Sequence, residues 1–392
     1  MTLEEMNSPE IGERLRIARE AAGITQADAA AGIEVARTTL VAIEKGQRRI
    51  RPHELQGLVR LYKTSANALL RRESVYVDLV PRFRKLSTST DEAAERAARL
   101  LAGLVRAEVE LENLLGIKRT RNYPPERPLM PGDVRIQAEN DATELRQWLG
   151  LGQAPVRDLI SLLEFDLGVR VYVRRLDPRV SGLFAYDDEL GACILLNANH
   201  SRERRTQSGG HELGHFVSTR RKAEILHTDE EENSREERYA NAFGRAFLTP
   251  ARTVMQRFRE ITAGATRLTR RHVILLAHAF GVSREAMVRR LEELGLTKPG
   301  TWDWFVANDG ITDEQARRVL GDLAPVDGEK RDADRPTTLR LNLLAAEAWR
   351  QDLLSEGQLA RLLHLNRLAL REILDNVEIE GSEADGMPKL PE

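Results

Sequence analysis

Hydrophobic residues recur at helical spacing through the first fifty residues of the chain. The spacing predicts three short helices: one that ends at Gly23, one over 26–31 that follows the N-cap candidate Thr25, and one over 37–46. The turn between the last two covers 33–35. The inward-facing residues of this predicted bundle are Ile11, Leu15, Ala18, Leu40 and Ile43.

The middle of the chain changes from helical spacing to short runs of strand-forming residues. Helical segments are predicted near 134–149 and 155–167, and strands over 169–174, 182–186 and 192–197. The remainder is almost entirely helical in pattern. The fold class predicted from this order is multidomain: an all-α N-terminal domain, an α+β domain with a small sheet, and a helical C-terminal segment.

Polar and proline-rich stretches mark the expected boundaries. YPPERPLMPGD at 123–133 cannot continue a helix, and DGEKRDADRPTT at 327–338 is a second break. The expected division is 1–72, a helical N-terminal domain; 73–132, a helical and proline-rich linker; 133–300, the α+β domain; 301–338, a linker region; 339–376, a helical C-terminal interaction module; and 377–392, a flexible tail.

Residues 91–115 of the first linker have apolar residues at helical spacing, interrupted by Glu108. Two interpretations stay open. The helix could form a coiled-coil seam in a homodimer, or it could lie on its own domain, since two or three heptads with a charged interruption are too few to decide.

Length, charge, cysteine content and the lack of a long apolar run argue against a membrane span and limit where DNA could bind. A chain of 392 residues fits two or three domains, and no apolar run approaches the roughly 18 residues of a membrane span, so no membrane partner is expected. The net charge of −2 confines any nucleic-acid role to one segment, and the first 72 residues hold 12 Lys and Arg against 9 Asp and Glu. With a single cysteine, Cys193, and no signal peptide, the expected location is the cytoplasm.

The start of the third predicted helix carries side chains suited to reading DNA. In a helix-turn-helix arrangement Arg37 could bind a guanine with two hydrogen bonds, and Thr38 or Thr39 could contact a thymine methyl group or a phosphate. Further contacts to phosphates, which position the protein without reading sequence, are expected from Gln26, Lys45, Arg48, Arg49 and Arg51.

ERLRIAREAAGITQADAAAGIEVARTTLVAIEKGQRRI resembles the XRE (Cro/C1-type) helix-turn-helix family over roughly 11–70, most closely in ITQ and IEKG. The resemblance implies a double-stranded DNA operator as partner. Two positions depart from the family: Ala29 replaces a leucine, and Glu34 replaces the glycine of the turn, so Glu34 must adopt a left-handed backbone. The alternative is a helical bundle that makes only protein contacts.

HELGH at 211–215 is the strongest chemical signal in the chain. His211 and His215, four residues apart, lie on one face of a helix and can both bind one Zn²⁺. Glu212 can take a proton from a water molecule at the metal. Ser218 and Arg221 stand where a metzincin would have glycine and histidine, so that class is excluded and a third ligand must come from elsewhere.

The third ligand is expected in the acidic run 229–237, which leads into an apolar helical stripe. Glu237 is the preferred ligand, and Glu236 is the alternative. Asn241 shares a helix face with Glu237 and could orient one of the imidazoles, as metal-bound histidines require.

HELGH, the preceding ACILLNANHSRERRTQSGG and the later ERYANAFGRAFLTP together resemble the ImmA/IrrE family of metallopeptidases, over about 134–297. The resemblance implies a zincin-like (gluzincin-type) fold, a Zn²⁺ cofactor and a protein substrate. One departure is Ser208-Gly209-Gly210, whose two glycines predict that the helix begins at His211. The site residues that the resemblance implies are the ligands His211, His215 and Glu237 and the general base Glu212.

Three further interpretations concern the surroundings of this site. The strand 194–197 could hold an extended substrate by strand addition. Tyr186 and His227 are candidates for stabilising the oxyanion by their chemistry alone, although a surface or core role is more common for either. Cys193 is expected to be an inert buried thiol.

In the C-terminal segment, Ser355 and Gln358 form a predicted capping box before an apolar helix. Two amphipathic helices and a turn could be a second helix-turn-helix or a dimer contact. An interaction module is preferred here, with DNA contact the less favoured interpretation.

The leading hypothesis is a cytoplasmic DNA-binding transcriptional regulator with a zinc-dependent endopeptidase domain that cleaves a repressor or another regulatory protein. The alternative is a non-proteolytic transcription factor or antitoxin-like regulator whose zincin-fold domain senses a ligand or partner. The presence of Glu212 favours the enzyme, because a purely structural site has no need of it.

Overall fold

In the computed structural model of the chain, the described residues are 9–62, 64, 69, 92–221, 224–227, 234–321 and 338–378. They belong to two compact units. The first lies within 1–77 and 108–118, and the second within 78–107 and 119–392. None of the described helices is long and apolar enough to cross a bilayer.

The first unit contains the predicted helical bundle. Its helices are α1 (Pro9–Ala21), α2 (Gln26–Gly32), α3 (Arg37–Glu44) and α4 (Pro52–Leu61). Thr25 caps α2 by accepting a hydrogen bond from the backbone N–H of Asp28 at 3.2 Å. Glu34 adopts the expected left-handed backbone, with φ 57°. The predicted inward-facing residues are all buried: Ile11, Leu15, Ala18, Leu40 and Ile43.

Helix α5 (Glu92–Leu115) contributes residues to both units. Its apolar residues Ala97, Leu101, Leu104 and Leu111 are buried within the single chain. A seam that binds a second chain needs these residues exposed, so burial favours the interpretation in which the helix packs within its own chain.

The second unit is built around a four-stranded sheet of β1 (Arg170–Arg174), β2 (Val180–Asp187), β3 (Gly191–Asn197) and β4 (Glu224–His227). The strand order is β1-β3-β2-β4, with β3 parallel to β1 and β2 antiparallel to both of its neighbours. The three predicted strands are confirmed. The fourth was not predicted, because its four residues adjoin a polar run.

The proposal of strand addition at 194–197 is wrong. These residues belong to β3, which lies inside the sheet, and its backbone groups pair with β1 on one side and β2 on the other. Within the described ranges, the outer edge of β4 pairs with no strand. A substrate strand would have to add at such an edge.

The remaining helices surround this sheet. The predicted helix near 155–167 is a helical turn at Leu159–Ser161 that continues as a π-helix at Leu162–Asp166. The α-helices are α6 (Val134–Trp148), α7 (Arg202–Ser218), α8 (Arg235–Leu248), α9 (Ala251–Ile261), α10 (Arg270–Phe280), α11 (Arg284–Glu293), α12 (Thr301–Ala307), α13 (Asp313–Leu320), α14 (Leu339–Arg350), α15 (Glu356–Leu362) and α16 (Arg367–Glu378).

Helix α7 does not begin at His211, as its two glycines predict, but at Arg202, directly after the N-cap Ser201. Gly210 and Gly214 allow close packing of α7 on α8, whereas Gly209 faces Leu159, whose Cδ2 would lie 3.1 Å from an added Cβ atom. A Cβ atom on Gly244 would lie 2.8 Å from the carbonyl carbon of Gly210, and one on Gly214 would lie 2.8 Å from Cα of Ala240. Contact between the helix backbones therefore offsets the cost of helical glycine, about 1 kcal/mol each.

The proline-rich segment, predicted as part of a linker, is hydrogen-bonded to the region that contains the sheet. Asn122 N–H donates to the carbonyl of Leu167 at 3.1 Å, and the Tyr123 hydroxyl accepts from Ala192 N–H at 3.0 Å. Arg127 N–H donates to the carbonyl of Val217 at 2.8 Å. Residues 119–132 thus lie along the domain that contains the sheet.

Within the predicted linker region 301–338, Thr301–Ala307 and Asp313–Leu320 form α12 and α13. Phe305 and Ile311 are buried in an apolar cluster with Val273, Ile274 and Val288. Of the remaining predicted linkers and tail, 73–91, 322–337 and 379–392 lie outside the described residues.

The C-terminal helices α14 to α16 also attach to the second unit. The Thr338 hydroxyl donates to the carbonyl of Val171 on β1 at 2.6 Å, and Arg174 Nη2 donates to the carbonyl of Leu363 at 3.3 Å. The predicted capping box at Ser355 is present.

Candidate functional site

Helices α7 and α8 bring His211, His215 and Glu237 into one group. The two Nε2 atoms are 3.0 Å apart, and each lies 3.3 Å from a different oxygen of the Glu237 carboxylate. No other set of His, Cys, Asp or Glu within the described ranges could hold a metal ion, and Glu236 is not a member of this one.

This group fits a zinc ion. Zinc in proteins is bound tetrahedrally by imidazole nitrogens and carboxylate oxygens at about 2.0 to 2.1 Å, which separates neighbouring ligand atoms by about 3.3 Å. The three separations here, 3.0 to 3.3 Å, are close to that value. Three protein ligands leave one coordination position for water or substrate.

Hydrogen bonds orient both imidazoles. Nδ1 of His211 lies 2.9 Å from Oδ1 of Asn241, and Nδ1 of His215 lies 3.3 Å from Oγ1 of Thr219. The amide oxygen of Asn241 only accepts, so this bond assigns the proton of His211 to Nδ1 and leaves the Nε2 lone pair for a metal. The Thr219 hydroxyl donates to the carbonyl of His215 at 3.5 Å, which leaves its oxygen able to accept from Nδ1 of His215 in the same way. Asn241 was proposed for this role from the sequence. Thr219 was missed, although its position four residues after His215 places it on the same helix face.

The protonation of each group in the site depends on the charge of its neighbours. Burial raises the pKa of the Glu237 carboxyl, but hydrogen bonds from His211 and His215 outweigh burial and hold that pKa well below its usual range. Burial lowers the pKa of His211, but the hydrogen bond with Glu237 and the charges of Glu212 and Glu237 raise it overall. Protons and a metal ion therefore compete for the same nitrogen atoms.

Glu212 lies between the ligand histidines in sequence and is completely buried. Its carboxylate faces β2 at Gly182, where an added Cβ atom would lie 2.9 Å from Oε1 of Glu212. Gly182 therefore makes room for this carboxylate. The signal that could have found it is a glycine inside a strand, which often marks close approach of another group.

The two oxyanion candidates gain no support. Tyr186 is four residues along β2 from Gly182, a distance of about 13 Å in a strand. There its ring lies 6.5 Å from that of Tyr123 and beside the guanidinium of Arg220. The backbone of His227 pairs with Val180, and its side chain lies outside the described residues.

Cys193 is buried in β3, with Sγ 3.7 Å from the carbonyl oxygen of Gly191. This placement agrees with the expected inert thiol.

In the first unit, the start of α3 presents the proposed base-reading residues to solvent. Arg37 and Thr38 are exposed, and Thr39 is half-buried. Arg37 Nη2 donates to Oε1 of Gln26 at 3.4 Å, and Gln26 in turn donates to Glu44, which forms a buried ion pair with Arg19. The structure thus brings Gln26 next to Arg37.

Of the cations proposed to contact phosphates, three are exposed and one is paired inside the unit. Lys45, Arg49 and Arg51 are exposed. Arg48 instead forms two hydrogen bonds, of 2.8 and 2.9 Å, to the carboxylate of Glu54, whose side chain is only 1% exposed. Burial raises the pKa of Glu54, but the bonds from Arg48 and the backbone of Arg51 lower it below its usual value. Arg48 therefore forms an internal ion pair in the first unit.

Comparisons with known proteins agree with these two sites. Residues 10–72 match a family model described as a helix-turn-helix domain, and residues 165–292 match the peptidase M78 model, described as an IrrE N-terminal-like domain. No curated protein matches the chain. Among solved structures, ComR from Streptococcus suis is similar at 12% identity over 96% of each chain, with a TM-score of 0.16, which is too low to support a statement about the fold.

Each matched segment contains one of the sites described above, since α1 to α4 lie within the first and the His–His–Glu group lies within the second. Both resemblances inferred from the sequence are therefore confirmed at the level of domains. The chain joins an N-terminal helix-turn-helix DNA-binding domain to an IrrE-type, M78 peptidase-like domain, which is the composition of a regulator with a peptidase-like domain.

Proposed function

We propose that this regulator binds an operator through its first unit and that its second unit is a zinc-dependent endopeptidase that cleaves a repressor or another regulatory protein. The observation that carries the proposal is Glu212, a buried carboxylate next to the ligand candidate His211 on α7. A site that only stabilises the fold has no use for such a group, whereas peptide hydrolysis needs a general base.

Three residues are assigned to metal binding and one to proton transfer. His211, His215 and Glu237 would hold Zn²⁺, which when bound supplies a Lewis acid for the scissile carbonyl and lowers the pKa of a water molecule. Glu212 accepts the proton of the attacking water on its carboxylate and passes it to the leaving amine.

Other groups of the site orient the imidazoles or bind the substrate. Asn241 keeps the imidazole of His211 in the tautomer that exposes Nε2, and Thr219 orients the imidazole of His215 through its hydroxyl. The outer edge of β4, rather than β3, offers backbone groups to an extended substrate.

On the DNA side, the proposal rests on the exposed first turn of α3. Arg37 is the residue assigned to base reading, with Thr38 and Thr39 beside it, and Gln26, Lys45 and Arg49 are assigned to phosphates. A DNA partner also supports a location in the compartment that holds the genome, which we propose to be the cytoplasm.

A second candidate function is a non-proteolytic regulator whose peptidase fold senses a ligand or partner. It is favoured by the depth of the site: His211, Glu212 and His215 are buried, and of the ligand group only the Glu237 side chain, at 24% exposure, reaches solvent.

The two functions are separated by Glu212→Gln, with Glu236→Gln as the matched control on α8. Bound zinc is measured on the purified proteins, and new protein N-termini are compared between cells that express each variant. We expect Glu212→Gln to keep its zinc and to lose cleavage by a factor of about 10² or more, and Glu236→Gln to change neither. Unchanged cleavage in Glu212→Gln would contradict the enzyme and favour the sensor.

A further inference from the structure

Helices α14 to α16 repeat the arrangement of α1 to α3 at a constant offset of 330 positions. Helices α2 (Gln26–Gly32) and α15 (Glu356–Leu362) each have seven residues, and each follows a hydroxyl N-cap, Thr25 in the first case and Ser355 in the second. After a turn of four residues, α3 and α16 begin with an arginine, Arg37 and Arg367.

The turn itself has the same geometry in both places. Its second residue is left-handed without being glycine, with φ 57° at Glu34 and 54° at His364. The next backbone N–H returns to the second helix in the same way. Val35 donates to the carbonyl of Ala30 at 3.0 Å, and the residue 330 positions later donates to its counterpart at 2.9 Å.

Several positions that differ by 330 are buried in both segments, although some of their side chains differ. Glu44, which forms a buried ion pair with Arg19 in the first unit, has buried Leu374 as its counterpart. The two segments therefore share backbone and burial more than sequence, which is why spacing alone left the second one undecided. The buried pairs are Ile11 and Leu341, Leu15 and Ala345, Ala18 and Ala348, Ala30 and Ala360, Ile33 and Leu363, Leu40 and Leu370, and Ile43 and Ile373.

We propose that residues 338–376 are a second helix-turn-helix unit that contacts a DNA duplex through the first turn of α16 and the exposed Arg361 of α15. Arg367 occupies the place of the base-reading Arg37 and is exposed. Leu368, at 70% exposure, occupies the place of Thr38, where an apolar side chain can contact a thymine methyl group.

Charge on this face permits DNA contact. Glu356 occupies the place of Gln26, and its carboxylate would repel a phosphate, but Arg371 binds it at 3.0 Å. The acidic residues Glu372 and Asp375 lie in later turns of α16, so the contact is confined to its first turn.

The test uses the full chain with the first unit weakened by Arg37→Ala, Lys45→Ala and Arg49→Ala. Its affinity for a random-sequence duplex of about 40 base pairs is measured between about 50 and 200 mM salt. In this background, adding Arg361→Ala and Arg367→Ala should lower the slope of log affinity against log salt by about two. The control is Arg350→Ala, which removes an arginine of the same unit that is 75% exposed and paired with Glu347, and it should leave the slope unchanged.

The proposal is overturned if the weakened background binds no DNA, or if its slope is the same with and without Arg361 and Arg367. It is also overturned if these substitutions leave DNA binding intact and change the oligomeric state in sedimentation, because the unit is then a protein contact. All the substituted residues are exposed, so equal melting temperatures show that a lost contact is not lost folding. The result does not depend on peptidase activity.

Discussion

At the scale of single residues, the metal group depends on side chains that would never touch the metal. Oδ1 of Asn241 lies 2.9 Å from Nδ1 of His211, and this bond decides which imidazole nitrogen carries the proton. The hydroxyl of Thr219 lies 3.3 Å from Nδ1 of His215. The ligand imidazoles are therefore oriented by one residue on α8 and one immediately after α7.

Replacing Asn241 by alanine removes the acceptor of His211 and should weaken zinc binding by about 10-fold to 100-fold. The measurement is a competition titration against a chromophoric chelator. Asn241→Asp, which keeps an acceptor oxygen at the same place, should retain most of the affinity. Equal affinity in wild type and Asn241→Ala would show that the bond does not orient the ligand.

A second residue-scale prediction concerns Arg48, whose partner Glu54 is buried. Arg48→Gln leaves that carboxylate without its main hydrogen-bond donor. It should lower the free energy of unfolding of the first unit by about 1 to 3 kcal/mol at neutral pH. The measurement is hydrogen exchange of the backbone amides in α1 to α4. Arg49→Ala, the matched control, should weaken DNA binding without changing exchange.

The same pair sets the acid response of the first unit. The pKa of Glu54 is lowered in the folded protein, so its contribution is present above the unfolded pKa of about 4.3 and is lost as pH falls through the lower folded value. Arg48→Gln removes the bonds that lower this pKa and leaves burial, which raises it, so the fall in stability on acidification should be smaller than in wild type. An identical acid profile would count against the internal role of Arg48.

At the scale of elements, the metal site depends on how closely α7 and α8 approach. A Cβ atom added at Gly244 would lie 2.8 Å from the carbonyl carbon of Gly210 and 2.9 Å from the backbone nitrogen of His211. Because both neighbours are backbone atoms, α8 must move away, and Glu237 moves with it.

Gly244→Ala should therefore weaken zinc binding and destabilise the second unit by about 1 to 3 kcal/mol. The measurements are thermal melting and the same chelator titration. Gly357→Ala is the control, because an added Cβ there meets only Arg367 Nη2 at 3.7 Å, an ordinary contact. If Gly244→Ala binds zinc as wild type does, close helix packing is not what positions the ligands.

Local patterns were enough to predict the first three helices of the first unit, three of the four strands and the grouping of His211, His215 and Glu237. Periodicity, caps and the spacing of HELGH are all readable within a few residues. What could not be predicted depends on residues distant in sequence: the central place of β3, the contact of Gly244 with α7, the pairing of Arg48 with Glu54, and the room that Gly182 leaves for Glu212.

At the scale of the whole molecule, the unit that contains the peptidase-like domain extends beyond the matched residues 165–292 on both sides. The proline-rich segment 119–132 bonds to it on one side of the sequence, and α12 to α16 belong to the same unit on the other. The net charge of −2 averages a basic first segment with an acidic remainder. The net charge of the whole chain therefore does not indicate DNA binding, whereas the positive charge of the first 72 residues does.

The central claim, a zinc peptidase within a DNA-binding regulator, is tested most directly by measuring cleavage against bound zinc. The purified full chain is stripped of metal, reloaded in steps, and assayed on a protein that the comparison of N-termini identifies as cleaved. Cleavage should be absent without zinc, rise in proportion to bound zinc and saturate at about one ion per chain. Cleavage by the metal-free protein, or saturation with zinc and no cleavage at all, would contradict the account.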